Sequence, residues 1–215
     1  MIIAIDGTAA SGKGTLARKL AARQGLAHLD TGALYRITGR MLNQAGLMAA
    51  DITPENAAKA AENLDLSLMD DPAIRTAKAG EIASIVAAIP AVRTALRSFQ
   101  RRFAASPPSL DDGQAAQGAV LDGRDIGTVI LPDADVKFFV DADLAIRAQR
   151  RFDELTAAGE RTDLKTVHTA LAARDDRDRN RSTSPLIPAA DAIMVDTSHL
   201  GVDAMVDFAC DHLPK

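Results

Sequence analysis

Aromatic residues are scarce in this chain of 215: Phe, Tyr and Trp together make 3%, with no Trp and a single Tyr. A core must therefore be assembled from Ala, Leu, Ile and Val, and the 47% hydrophobic content is that of a globular protein. Cysteine is nearly absent. Cys210 stands alone, which excludes an intrachain disulfide and a cysteine-based metal site and leaves it as a small packing residue. No apolar run reaches the ~20 residues of a membrane-spanning helix. No basic region precedes the short apolar run at the N-terminus, so a secretory signal is not expected and the chain reads as cytoplasmic. Positive charge is not in surplus either. A net charge of −4 argues against a nucleic-acid coat protein, and any anion site must be a local cluster of Arg and Lys. The length fits one domain, or one domain with insertions.

What is present begins at residue 2. The apolar run Ile2-Ile3-Ala4-Ile5 leads directly into Gly7-Thr8-Ala9-Ala10-Ser11-Gly12-Lys13-Gly14-Thr15, a strand followed by a phosphate-binding loop. Glycines let such a loop turn its backbone N–H groups toward phosphate oxygens. Lys13 reaches the outer phosphates as a point charge. Leu16, Ala17, Leu20 and Ala21 then recur at helical spacing, so the positive end of a helix faces the same anion. The spacing Gly-x4-Gly-Lys is met, with Gly14 inserted before the hydroxyl of Thr15.

Further along, residues 12–24 predict a helix ended by Gly25, and residues 26–30 a short strand. Thr31 is expected to cap a helix to about Gln44, and Thr53-Pro54 to start another. The alternation of Leu64, Leu66 and Leu68 predicts a short strand, and helices follow to about Ala88 and from Pro90 to about Ala105. Ser106 to Gln117 is a loop by composition. Residues 119–122, 136–140 and 191–196 predict strands, and helices are expected over about 142–157, 164–181 and 201–212. Alternating strands and helices indicate an α/β fold with a parallel sheet covered on both faces, active at the carboxyl ends of its strands.

Charged clusters fall at those strand ends. Asp30-Thr31-Gly32-Ala33-Leu34-Tyr35-Arg36 joins the second strand to its helix. Asp122-Gly123-Arg124-Asp125 closes the third, and a carboxylate there, beside a phosphate loop, suits the orientation of Mg²⁺ through water. On the helix 164–181, positions 174, 177, 178 and 181 share one face at 100° per residue. That face carries three arginines and one aspartate, an excess of like charge that an anion would relieve. Asp175 and Arg179 lie on the other side in the acid-first i,i+4 order of an ordinary surface ion pair. Arg147, Arg150 and Arg151, and Arg97 with Arg101, read as solvated surface. Arginines converging on a phosphate loop point to phosphoryl transfer. An arginine-rich segment able to close would also exclude water. No general base is evident, and none is needed if the acceptor is itself an ionised phosphate.

These motifs together resemble the bacterial cytidylate kinases, a family of nucleoside monophosphate kinases. The resemblance rests on Gly-Lys-Gly-Thr, on Leu29 through Arg36, on Asp122-Gly123-Arg124-Asp125-Ile126-Gly127-Thr128, and on Arg174 through Arg181. It extends to Ser84 through Arg93 and to Asp191, and so covers nearly the whole chain. It implies a P-loop NTPase-type three-layer α/β/α fold over 1–215. The core would be 1–45, 115–155 and 182–215, with a helical CMP-binding insert of about 46–105 and an Arg-rich lid of about 156–181. It implies transfer of the γ-phosphoryl group of ATP to CMP or dCMP with Mg²⁺, in a monomer with neither nucleic-acid nor membrane partners. By position, residues Gly7 to Thr15 would hold ATP, with Thr15 and Asp122 toward the metal. Ser84, Arg93 and Asp125 would read cytosine. Arg36, Arg124 and Arg181 would hold the acceptor phosphate, and Arg174 and Asp178 the ribose. Thr31 and Tyr35 would line the same pocket. Lys13, Arg124, Arg177 and Arg181 would act on the transferring group. The chain departs from longer members by lacking a hairpin between Leu68 and Glu81 and by a long loop between Phe103 and Ala119, which bear on the insert's shape and on the CMP-versus-dCMP preference. A kinase for UMP, AMP or another small metabolite is the near alternative. A regulatory nucleotide-binding module is the more distant one, and the chain lacks the Asn-Lys-x-Asp stretch of guanine-reading switches.

Overall fold

The computed structural model describes residues 1–214. In chain order its main elements are β1 (Ile2–Gly7), α1 (Lys13–Gln24), β2 (Ala27–Asp30), α2 (Thr31–Gln44), α3 (Pro54–Glu62), α4 (Ala77–Val86), α5 (Pro90–Ala105), β3 (Ala119–Gly123), β4 (Val136–Asp141), α6 (Leu144–Ala157), α7 (Leu164–Asn180), β5 (Ile193–Asp196) and α8 (Val202–Asp211). The chain forms two compact units, Met1–Leu29 with Arg101–Lys215, and Asp30–Gln100.

The larger unit is built on a five-stranded sheet in the order β2-β3-β1-β4-β5. The registers of β1 with β3 and β4, and of β4 with β5, are parallel. Ile3 and Ile5 of β1, Val120 of β3, and Phe138 and Val140 of β4 meet Leu16 and Leu20 of α1 and Met205, Val206 and Ala209 of α8 in one apolar cluster. Mostly aliphatic side chains do this packing, with Phe138 beside them, as the shortage of aromatics leads one to expect. Gly7, Asp122, Asp141 and Asp196 all stand at or next to the carboxyl ends of their strands, the edge at which ligands bind in open α/β sheets. No single helix among the described residues is long and apolar enough to cross a membrane.

The smaller unit is helical. Ala33 and Ile37 of α2 pack on Ile74, with Met41, Leu64, Leu68 and Met69 around them. Two expectations are corrected here. The leucines at 64–68 form no strand: Leu66–Asp70 is a 3-10 helix. The Asp65 carboxylate starts it by accepting from the Ser67 N–H and hydroxyl, and Leu64 and Leu68, four apart, both turn to the α2 side. Alternation alone does not make a strand where no sheet edge is at hand to pair with it. The cap of α2 is Asp30 rather than Thr31. Asp30 Oδ1 accepts the Ala33 N–H at 3.1 Å, while Thr31 is already the first helical residue.

Gly7 ends β1 under close constraint. A Cβ there would lie 2.0 Å from the backbone oxygen of Val140, so the strand can turn into the loop only without a side chain. Gly7→Ala is expected to lower the unfolding free energy by more than about 3 kcal/mol. Gly46, at φ 81°, has nothing within 4 Å of such a Cβ, and Gly46→Ala carries only the backbone cost of about 1–2 kcal/mol. Urea denaturation of the two variants checks this, and equal losses would contradict the steric assignment.

Candidate active site

The loop between β1 and α1 is held by its carbonyls. Thr8 O accepts from the Ser11 hydroxyl at 3.0 Å and from Lys13 Nζ at 3.3 Å. Ala9 O accepts from Arg147 Nη1 at 3.3 Å, and Ser11 O from the Thr197 hydroxyl at 2.7 Å. The Thr8 hydroxyl donates to Asp141 Oδ1 at 2.6 Å. Arg150 in turn donates to the hydroxyl and carbonyl oxygens of Thr197 at 3.0 and 2.6 Å. A carbonyl and the next N–H lie on opposite edges of one peptide plane. Anchoring the carbonyls outward therefore fixes the opposite face of the loop, the face that must meet phosphate. Ala10 takes φ 59° and Gly12 φ 90°, left-handed angles that give the loop its curl.

Arg147 overturns its surface reading. It is 3% exposed and makes a buried ion pair with Asp175 of α7, Nη2 to Oδ2 2.7 Å. Asp175 is thus not the i,i+4 partner of Arg179. The recorded ion pair of Arg179 is a longer one, 4.0 Å, to Asp141. Arg101 is likewise engaged, donating to the carbonyls of Ile130 and Val129 at 2.9 and 3.0 Å.

The arginine face of α7 assembles around one carboxylate. Asp178 is 4% exposed. Its Oδ2 lies 2.9 Å from Arg124 Nε and 3.9 Å from Arg174 Nε, and its Oδ1 lies 3.7 Å from Arg181 Nη1. Burial works to raise the Asp178 carboxyl, but Arg124, Arg174 and Arg181 together overcome it and hold the group below the ordinary carboxylate value. Three guanidiniums thus converge on one carboxylate. Arg177 stays exposed at the rim of this face, a full 100° round the helix from Asp178. Arg124, from the turn after β3, takes its place in the cluster.

In the smaller unit, Arg93 is 6% exposed, with its guanidinium 5.8 Å from the centroid of the Tyr35 ring and Nη1 donating to Ala87 O at 3.3 Å. Arg36 Nη1 donates to Ile74 O at 3.1 Å. Thr31 is buried and Ser84, on α4, half-buried. Asp30 carries Arg75 on the oxygen not used for capping most directly, Nη1 to Oδ2 2.8 Å.

For a divalent ion, the larger unit offers hard oxygen donors. Asp122, the next-to-last residue of β3, has Oδ1 2.8 Å from His28 Nε2, and its Oδ2 lies toward position 14, 3.7 Å from where a Cβ of Gly14 would stand, one residue from Thr15. No group of three or more His, Cys, Asp or Glu suited to a metal occurs among the described residues. One carboxylate and one hydroxyl, completed by phosphate oxygens and water, fit the way Mg²⁺ is held in nucleotide sites.

A family model described as cytidylate kinase matches residues 3–215. The chain belongs to the cytidylate kinase family. A cytidylate kinase of Rhodopseudomonas palustris (strain TIE-1) is 51% identical over 212 residues, covering 98% of this chain and 94% of that protein. One of Bradyrhizobium sp. (strain ORS 278) is 52% identical over 211 residues, with the same coverage. The crystal structure of an uncharacterized protein from Eubacterium ventriosum shares the fold, with a TM-score of 0.54 at 16% identity over 99% of this chain and 98% of that one. The P-loop type of α/β fold expected from the sequence is the fold observed.

Asp6 and His28, both beside the strand ends of the larger unit, drew no reading from the sequence, and Arg147 read as surface. Asp6 is buried at the end of β1, and its two oxygens accept the N–H groups of Ile126 and Gly127, each at 2.8 Å. It thereby pins the π-helical turn that follows Arg124 and Asp125. Burial pushes its carboxyl up to about 7; the two N–H donors oppose this, nearby Asp125 adds to it, and Arg124 opposes it. The group is protonated more readily in the fold than in the unfolded chain. Its contribution to stability is therefore complete below the unfolded value of 3.8 and is lost as pH rises through about 7. The unfolding free energy of the wild type relative to Asp6→Asn should fall by on the order of a few kcal/mol between about pH 4 and pH 8. Denaturant titrations across that range test it, and a pH-independent difference contradicts it.

Proposed function

We propose that this chain transfers the γ-phosphoryl group of ATP to CMP or dCMP, giving ADP and CDP or dCDP. The observation that carries the reading is a second anion site in the same unit as the phosphate loop. The Arg124–Arg174–Asp178–Arg181 cluster gathers three guanidiniums in a partly desolvated setting, donors suited to the dianion of a nucleoside monophosphate. A protein that only bound ATP would have no use for it.

In this reading the loop amides of residues 7–15 and Lys13 hold the donor's outer phosphates. Arg124 and Arg181 hold the acceptor phosphate, and Arg174 and Asp178 the ribose. Within the smaller unit Arg36 contributes to the acceptor phosphate, Ser84 and Arg93 read the base, and Thr31 and Tyr35 line the pocket. Asp125 accepts from the exocyclic amine of cytosine, which distinguishes it from the carbonyl that uracil presents there. An acceptor phosphate oxygen attacks the γ-phosphorus, and the bond to the β,γ-bridging oxygen breaks. The acceptor is already ionised at neutral pH, so no side chain has to remove a proton. Arg124, Arg181 and Lys13 meet the charge on the transferring group in flight, and exposed Arg177 reaches it when the segment 156–181 closes as a lid. Mg²⁺, when bound by Thr15 and Asp122, neutralises charge on the donor phosphates. We place the enzyme in the cytoplasm as a monomer whose partners are small nucleotides.

A coupled ADP-release assay over CMP, dCMP, UMP and AMP tests the reading. CMP and dCMP should be turned over far faster than the others, and failure of both beside turnover of another acceptor would sink it. Arg181→Ala should lower kcat/KM for CMP by about 100-fold or more, while Arg179→Ala changes it by less than about threefold, as expected of an exposed surface charge. Equal effects would contradict the face assignment on α7. Lys13→Ala should remove turnover and leave the melting temperature near that of the wild type.

A further inference from the structure

The P-loop and the arginine helix are joined through the interior of the larger unit. Ala9 and Ala10 of the loop pack with Leu144, Ala148, Phe152 and Leu155 of α6 and with Val167 and Leu171 of α7. Within the same region Arg147 spans three elements: Nη1 to Ala9 O at 3.3 Å, Nε to Ala142 O at 2.8 Å, and Nη2 to Asp175 Oδ2 at 2.7 Å. Asp175 lies three residues before Asp178, the carboxylate on which Arg124, Arg174 and Arg181 converge.

We infer that Arg147 and Asp175 form a positioning strut that couples donor binding at the P-loop to acceptor binding on α7. The inference rests on the phosphoryl-transfer reading and adds to it a pair of residues that touch neither nucleotide. For stability alone the pair is a poor device. A buried ion pair does little better than apolar side chains of similar volume, and Asp175 Oδ1 is buried with no hydrogen-bond partner, which counts against it further. As a strut it is well made, because a planar guanidinium fixes the directions of its contacts, a longer approach of Nε to Asp141 Oδ1 at 3.8 Å among them. A triphosphate entering the loop is gripped by the amides beside Ala9, and the peptide plane of Ala9 is the plane Arg147 holds. Any adjustment of that plane is passed to Asp175, and along one helical turn to Asp178. Ala10, at φ 59° without being glycine, places a strained residue at the point where the adjustment would enter.

The test measures binding, not turnover. CMP is titrated calorimetrically into the full chain, alone and with a saturating non-hydrolysable ATP analogue, for the wild type and for the double variant Arg147→Met with Asp175→Leu. Both charges are removed together so that neither is left buried alone. The wild type should bind CMP about tenfold more tightly when the analogue is present, within the usual range of coupled sites. In the double variant the factor should fall to about twofold or less, while CMP affinity without the analogue stays within about threefold of the wild type. By linkage the same loss must show when the order of addition is reversed. Should the double variant not fold, Asp175→Asn keeps an acceptor for Arg147 while removing the charge, and the coupling should then fall to an intermediate value. A coupled wild type whose factor survives in the variants would overturn this inference alone, as would a wild type with no coupling. A wild type that does not bind CMP would overturn the phosphoryl-transfer reading and the strut with it.

Discussion

A loop that offers its amides to phosphate must have its carbonyls satisfied elsewhere, and much of the larger unit follows from that requirement. Thr8, Ala9 and Ser11 each direct a carbonyl to a protein donor, and those donors come from the loop itself, from α6 and from the segment after β5. The positions of Asp141, Arg147, Arg150 and Thr197 at one edge of the sheet make sense as answers to it. Asp141 takes the Thr8 hydroxyl, and Arg150 steadies Thr197, which steadies Ser11. Four residues outside the loop thus help fix its shape. Pre-orientation of this kind removes the reorganisation that an unsupported loop would undergo each time an anion arrived.

The second requirement is electrostatic. A chain with a net charge of −4 must concentrate cations against its own average to receive a dianion. The structure gathers three arginines around one buried carboxylate on α7 and the turn after β3, the cluster that the proposed reading gives to the acceptor phosphate. Without Asp178 the guanidiniums would repel one another in a partly desolvated space, and without the arginines Asp178 would be buried and uncompensated. Long-range salt screening matters less here than on the surface, because these groups are partly withdrawn from solvent.

What the sequence disclosed depended on how many elements had to cooperate. Residues 7–15 form one contiguous loop between a strand and a helix, and their spacing alone carried the reading. Arg174, Asp178 and Arg181 belong to the last two turns of one helix and the residue just beyond it, so a wheel is enough to bring them together. Arg177 was misplaced only in degree, at the margin of the same face. Arg147 reads as surface in the sequence because its partners lie on the P-loop, at and just after the end of β4 and on α7, and no periodicity on α6 can report them. Asp175 was assigned to Arg179 by the strongest local rule available, the i,i+4 pair, and lost to a buried partner from another helix. The leucines at 64–68 followed the same pattern, since alternation is a local signal and the absence of a neighbouring strand is not. Asp6 carries no signal in the sequence, and only the pinned N–H groups of Ile126 and Gly127 reveal its role.

Asp6 and Asp178 make the underlying point about environment. Both are buried aspartates of the larger unit and both accept hydrogen bonds, yet one is pushed up to about 7 and the other held below its ordinary value. The difference is the company each keeps. Asp6 has two backbone N–H groups, which carry only partial charges, and Asp125 nearby; Asp178 has three full cations. Arg124 stands in the chain between the effects of the two. The turn that follows it is tied down by Asp6, and its guanidinium is tied down by Asp178. A side chain constrained from both its backbone and its tip loses little further freedom on meeting a phosphate. That constraint suits it to stabilise charge on a group in transit better than an arginine free to follow the charge, because a donor already in place does not have to be reoriented at the moment of transfer.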